Sequence, residues 1–248
     1  MPVKNTLEFN KSIIHATHDL VCAYKPNLAF YEALGLPGLR ALEGTIDYIR
    51  SVNPHLIIIA DAKRGDIGNT ASAYARALFD VWDVDAATVN PYLGTDSLEP
   101  FLSRPDRGVF ILCRTSNTGS SEMQMLSVSH KGYQQPLYKW VALKAMEWNR
   151  LGNVGLVAGA THPTELEELR KLCPDMPFLV PGIGTQGGDL EASVRLGMNS
   201  KGRRSIINSS RGIIYASHSR DYTQAARDAA MQLRDNITRT LGHMGKGW

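Results

Sequence analysis

Short apolar runs alternate along this chain with stretches in which apolar residues recur at helical spacing. Ile57-Ile58-Ile59-Ala60 is β-branched and continuous, the pattern of a buried strand. Ala71, Tyr74, Ala75, Leu78 and Phe79 then fall at i, i+3, i+4, i+7 and i+8, the stripe of an amphipathic helix. The pattern predicts strands at 20–26, 56–60, 85–89, 108–113, 153–158, 178–180 and 205–208. Helices are predicted at 7–16, 31–34, 39–49, 71–81, 137–151, 164–172, 190–196 and 222–241. Residues 120–135 show little periodicity and read as a loop. Strand, loop and helix repeating with short connections imply a parallel sheet, and no linker-like stretch divides the chain, so residues 1–248 are expected to form one barrel domain. Seven strands is one short of a closed (β/α)8 TIM barrel.

The chemistry is concentrated where the first long strand ends. Asp61, Lys63, Arg64 and Asp66 bring two carboxylates and two cations into six residues, followed by the turn and cap residues Gly68, Asn69 and Thr70. The charges are expected in the loop between strand and helix, the end of a parallel α/β fold where ligands bind. Asp61 and Lys63 are two apart and share a face. Lys25, near the end of the preceding strand, could reach them, giving an alternating network in which each charge is tolerated beside an opposite one. A plain ion-pair cluster at a barrel rim is the competing reading.

The loops 181–188 and 209–212 follow the last two strands, and both are Gly-containing. Such a pair often makes a phosphate site, with backbone N–H groups, Gln186 and the fork of Arg211 as donors; tight turns are the alternative. Thr115, Ser116 and Asn117 could read the edge of a polar ring, or be ordinary turn residues.

Composition narrows the picture. The hydrophobic share of 43% supports a substantial core, and a net charge of +3 suits an anionic small molecule at least as well as nucleic acid. Lys201, Arg203 and Arg204, the densest basic spot, read as a solvated loop. Cys22, Cys113 and Cys173 are dispersed and form no C-x-x-C; Cys22 and Cys113 lie inside apolar runs, so buried reduced thiols and a cytoplasmic setting are expected. The sequence offers no apolar leader and no membrane span. The histidines have no metal-ligand spacing, and neither a P-loop, a nucleophile elbow nor a dinucleotide fingerprint occurs.

Taken together, Asp61-x-Lys63-x-x-Asp66-Ile67-x-x-Thr70 with Lys25 upstream resembles the orotidine 5′-phosphate decarboxylase family. The full wording from Asp61 to Thr70 resembles its bacterial type 2 branch, as do Ala23-Tyr24-Lys25-Pro26-Asn27, Pro181-Gly182-Ile183-Gly184 and Asn208-Ser209-Ser210-Arg211-Gly212. The resemblance runs in order from about Phe9 to the last helix. It implies a homodimeric barrel that needs no cofactor or metal and converts orotidine 5′-phosphate to UMP and carbon dioxide in pyrimidine biosynthesis. It implies that Lys63 protonates C6, that Asp61 and Lys25 hold Lys63, and that Lys25 touches the ribose. Asp66, Ile67 and Thr70 would serve the partner's site. Ser116 would contact the pyrimidine; Gln186 and Arg211 would bind phosphate, within the Pro181 and Ser210 loops, the first closing as a lid. Neither nucleic acid nor membrane is an implied partner.

One departure stands out. The family opens with a strand ending in a Gly-Leu-Asp-Pro type segment whose Asp contacts ribose, and none precedes Lys25. The expectation is a late start, leaving an open barrel edge, or a gap that residues 2–9 fill in another way. Two other functions stay open. A sister sugar-phosphate lyase, such as a keto-gulonate-phosphate decarboxylase or hexulose-phosphate synthase, would need metal and further acidic ligands, whereas the neighbouring strand ends here carry Lys25 and Asn90-Pro91-Tyr92. A chain without the first strand could also be an inactive nucleotide-phosphate binder.

Overall fold

Seven strands, all parallel, curl into one sheet in the computed structural model, which describes residues 3–130, 132–184 and 187–247. They are β1 (Ala23–Tyr24), β2 (Ile57–Arg64), β3 (Ala86–Val89), β4 (Gly108–Arg114), β7 (Val154–Ala158), β8 (Phe178–Pro181) and β9 (Ser205–Asn208), and they lie side by side in chain order. A separate antiparallel hairpin, β5 (Ser127–His130) and β6 (Tyr133–Pro136), stands outside the sheet. The helices are α1 (Val3–Thr17), α2 (Leu28–Glu32), α3 (Gly35–Val52), α4 (Gly68–Arg76), α5 (Thr95–Leu102), α6 (Ser121–Gln124), α7 (Leu137–Trp148), α8 (Pro163–Leu172), α9 (Leu190–Gly197), α10 (Arg211–Ile214) and α11 (Tyr222–His243). A π-helical turn over Ala77–Val81 extends α4.

Strand alternation divides the core. On the inner face Ile59, Ala86, Phe110, Val157 and Leu179 pack together, with Ala23, Leu112 and Ile206 at the margins. The opposite face, with Ile58, Ala60, Ala87, Val89, Ile111, Leu156 and Val180, is sealed by the helices in the main core. Period-2 burial on both faces is what a barrel wrapped in helices requires.

Among the described residues no strand precedes β1 and no pairing joins β1 to β9, so the sheet stays open there. Residues 3–9 do not fill that gap as a strand: they belong to α1, which packs between α3 and α11. Phe9 stacks on Tyr222 with ring centroids 5.4 Å apart, and Arg227 binds both Asp19 and the Ala16 carbonyl. The outer helical ring therefore spans the place where the inner ring is unpaired.

Three expectations are corrected. The charged stretch is only partly a loop: Asp61, Lys63 and Arg64 lie within β2, and Asp66 follows in the loop before α4. The stretch expected as a loop holds α6 and the paired strands β5 and β6, with the Trp140 indole donating to the Val128 carbonyl at 3.1 Å. Cys22 is exposed, whereas Cys113 and Cys173 are buried. No helix among the described residues is long and apolar enough to cross a membrane.

Candidate active site

The carboxyl ends of the strands surround a cavity of about 460 Å³. At its base β1 delivers Lys25, β2 delivers Asp61 and Lys63, and β3 delivers Thr88. The Pro26 carbonyl accepts the Asp61 N–H at 2.9 Å, which continues the β1–β2 ladder past Tyr24 and brings Lys25 beside Asp61. Lys25 Nζ donates to Asp61 Oδ2 at 2.6 Å, and Lys63 Nζ donates to Oδ1. The Thr88 hydroxyl donates to Oδ1 at 3.2 Å. Burial opposes ionisation of Asp61, but the charge and hydrogen bond of Lys25, then those of Lys63, outweigh it and hold the carboxyl below its ordinary value. The Lys25 side chain is 11% exposed and that of Lys63 is 49% exposed, so Lys63 is the ammonium that reaches into the open space.

The far wall comes from β8 and β9. Pro181, Gly182, Ile183, Asn208, Ser210 and Arg211 line it. The Gly188 N–H closes the first loop on the Gly182 carbonyl at 3.1 Å, and a Cβ on Gly188 would sit 2.6 Å from that oxygen, so the turn admits only glycine there. Asp189 already caps α9 through the Ala192 N–H at 3.1 Å, which leaves the loop rather than that helix end to meet an anion.

Between these walls stand Leu112, Thr115, Ser116, Asn117, Gln124, Val157 and Leu179, apolar below and polar above. Gln124 clamps Thr115, accepting its N–H at 2.9 Å and donating to its hydroxyl at 2.8 Å. Gly159 lets the Ser116 turn lie against β7, since a Cβ would come within 2.8 Å of Ser116 Cα. The buried Arg114 pins the same turn through Ser120, Ser121, His162 and Glu165.

Lys25, Asp61, Lys63, Ser116, Pro181, Ser210 and Arg211 thus converge on one cavity. Asp66, Ile67 and Thr70 do not line it; Ile67 and Thr70 are exposed outside it, and Asp66 accepts the Ile67 N–H at 2.8 Å. Gln186 lies outside the described residues. Thr88 and Gln124 went unread in the sequence: Thr88 looks like an ordinary β-former in Ala86-Ala87-Thr88-Val89, and Gln124 falls in the stretch without periodicity. Among the described residues no group of three or more His, Cys, Asp or Glu is placed to hold a metal ion.

A parallel barrel with an Asp–Lys array at one wall and a cationic Gly-containing turn at the other defines a class: an α/β-barrel enzyme for a small phosphorylated substrate. Residues 3–228 match the orotidine 5′-phosphate decarboxylase / HUMPS family, and the chain belongs to that family. An orotidine 5′-phosphate decarboxylase of Dehalococcoides mccartyi is 55% identical over 238 residues, covering 96% of this chain and 87% of the relative. One from Thermomicrobium roseum is 53% identical over 232 residues, covering 93% and 81%. The solved Leishmania donovani OMP decarboxylase superposes with a TM-score of 0.87 at 40% identity, covering 97% of this chain and 89% of that one.

Proposed function

We propose that this carboxy-lyase converts orotidine 5′-phosphate to UMP and carbon dioxide, with Lys63 as the proton donor. The observation that carries the reading is the Lys25–Asp61–Lys63 array at one wall of a cavity whose opposite wall carries Arg211. In this reaction the bond from C6 to the carboxylate breaks and its electron pair stays on C6. No neighbouring carbonyl can take up that charge, so stabilisation must come from a cation already in place. Lys63 Nζ supplies it, then transfers a proton to C6 and regains one from solvent. Asp61 pairs with Lys63 and keeps it aimed, and Lys25 completes the compensation of charge. Ser116 meets the pyrimidine edge, and Arg211 and Ser210, with Pro181, take the phosphate. Gln186 is assigned to the same phosphate from its place in the sequence. Phosphate binding, remote from the reacting bond, can be used to close the site and lower the barrier.

The chain works as one domain and as a homodimer. Asp66, Ile67 and Thr70 lie outside their own cavity, and Ile67 is 57% exposed, with Tyr92 and Leu93 of the adjoining loop 79% and 46% exposed. These residues are read as the half-site offered to a partner subunit, where Asp66 crowds the substrate carboxylate. The two buried unpaired thiols suit a cytoplasmic setting. The test is the ultraviolet loss of orotidine 5′-phosphate, followed with and without EDTA. Equal turnover in both supports the reading. Turnover that EDTA abolishes would favour the metal-dependent lyases, and none at all would favour a nucleotide-phosphate binder.

A further inference from the structure

The ladder between β2 and β3 is broken where the charges sit. Ala60 pairs with Ala87 and Arg64 with Val89, so Asp61, Ala62 and Lys63 together face the single residue Thr88. Lys63 adopts a φ of 47°, the left-handed region that a lysine rarely enters. A bulge of this kind re-aims side chains but takes backbone groups off the ladder. The Lys63 N–H would be one of them, and Thr88 Oγ1 accepts it at 2.9 Å.

That contact fixes the direction of the hydroxyl. Thr88 Oγ1 has one proton, and its other neighbour, Asp61 Oδ1 at 3.2 Å, is a carboxylate that can only accept. The same Oδ1 receives Lys63 Nζ. A closed ring results: Lys63 backbone to Thr88, Thr88 to Asp61, and Asp61 to the Lys63 side chain. Both ends of Lys63 are tied to the same pair of groups. Thr88 is 1% exposed, so no bulk water can replace its hydroxyl.

We infer that Thr88 is a positioning residue: it holds the β2 bulge in the conformation that keeps the Lys63 ammonium on Asp61 and aimed into the cavity. This rests on the proposed role of Lys63 and adds to it a residue that acts through Lys63 and Asp61. Valine has the same shape as threonine, so Thr88→Val removes the two hydrogen bonds and little else. The hold is on the orientation of the proton donor, so its loss falls on kcat. Misplacement on the ångström scale is enough to cost about 10² in rate.

The experiment compares the wild type with Thr88→Val and Thr88→Ser. The expected result is a kcat reduced roughly tenfold to a hundredfold in Thr88→Val with KM within about threefold, and largely restored in Thr88→Ser. A Thr88→Val enzyme with kcat within about twofold of wild type, a loss confined to KM, or a Thr88→Ser enzyme as slow as Thr88→Val overturns the inference. Amide hydrogen exchange at Lys63 is read alongside by NMR and is independent of turnover. The Lys63 N–H is expected to be protected in wild type and Thr88→Ser, and to exchange about tenfold faster or more in Thr88→Val. An unprotected Lys63 amide in the wild type overturns the inference even if Thr88→Val fails to fold. Protection in a wild type that does not decarboxylate would instead mark the proposed activity as the failed step.

Discussion

Lys25 and Asp61, thirty-six positions apart in the chain, meet at 2.6 Å between Nζ and Oδ2, with the two side chains 11% and 9% exposed. Asp61 is the only carboxylate within ion-pairing distance of either Lys25 or Lys63 among the described residues. Replacing it by asparagine leaves two ammonium groups facing each other. Breaking a buried pair costs about 3–5 kcal/mol, and the half-exposed Lys63 reduces that to about 2–3 kcal/mol. The sign with pH follows from the carboxyl lying below its ordinary value of 3.8. Its contribution is complete above that value and is lost as pH falls toward the lower folded-state value. Thermal unfolding of wild type and Asp61→Asn should therefore differ by a constant margin at neutral pH that narrows below about pH 4. A constant gap across that range would remove Asp61 as the charge that balances the lysines.

Asp66 offers a second test, because it is predicted to act away from its own cavity. Lys63→Ala and Asp66→Ala homodimers should both be inactive. In a randomly mixed population half the dimers carry one copy of each, and one of their two sites has neither substitution, so about a quarter of full activity returns. The rate of ultraviolet loss of substrate after mixing and re-equilibration measures this. If the mixture stays as inactive as its parents, Asp66 does not serve a neighbouring subunit.

The parallel sheet and most strands were legible because a strand buried on both faces must be written as an apolar run, as in Ile58 to Ala60 and Phe178 to Val180. Lys25, Asp61, Lys63 and Arg211 were legible for a related reason, since charges at strand ends have few structural uses. What was not legible depends on partners distant in sequence. Thr88 owes its role to a bulge on another strand, and nothing in Ala86-Ala87-Thr88-Val89 records that. The β5–β6 hairpin is nearly all half-exposed or exposed, so its residues carry no core alternation to read. The helix Thr95–Leu102 was hidden by Pro100 within it.

Arg114 links the Ser116 turn to the next βα loop, with Nη2 3.2 Å from His162 Nδ1 and 3.3 Å from Glu165 Oε1. Burial, and then the Arg114 charge, hold His162 below its ordinary value of 6.5. NMR titration of the His162 ring should therefore show an upward move in Arg114→Met, short of the ordinary value because burial remains. A base depressed in the folded state is protonated more readily in the unfolded one, so the wild type loses stability as pH falls below 6.5, and Arg114→Met should show a shallower loss. KM for the substrate should rise as well, since Thr115 and Ser116 lose one of their anchors. An unmoved His162 titration would show that Arg114 does not set the environment of this loop.

Arg170 allows stability to be separated from catalysis. It lies at the end of the barrel away from the cavity, where it donates to the carbonyls of Gly197, Cys173, Met176 and Arg204 at 2.8–2.9 Å and stacks 3.7 Å from the Phe178 ring centroid. Burial pushes its guanidinium down to about 10, which leaves it charged at neutral pH. One side chain thus ties the end of α8, the end of α9 and the strand entering β9 together. Arg170→Met keeps much of the packing on Phe178 but removes a charged donor from each of these carbonyls. Gly197, Arg204 and Cys173 retain the Ser205 hydroxyl, the Phe178 N–H and the Met176 N–H, whereas the buried Met176 carbonyl loses its donor at a cost of about 1–3 kcal/mol. The expected loss is about 3–5 kcal/mol in denaturant unfolding. Residues at the amino ends of barrel strands serve stability, whereas those at the carboxyl ends serve chemistry. Below the unfolding transition, then, Arg170→Met should keep kcat and KM within about twofold of wild type. A large fall in kcat in the folded variant would mean that the two ends of this open barrel are mechanically coupled.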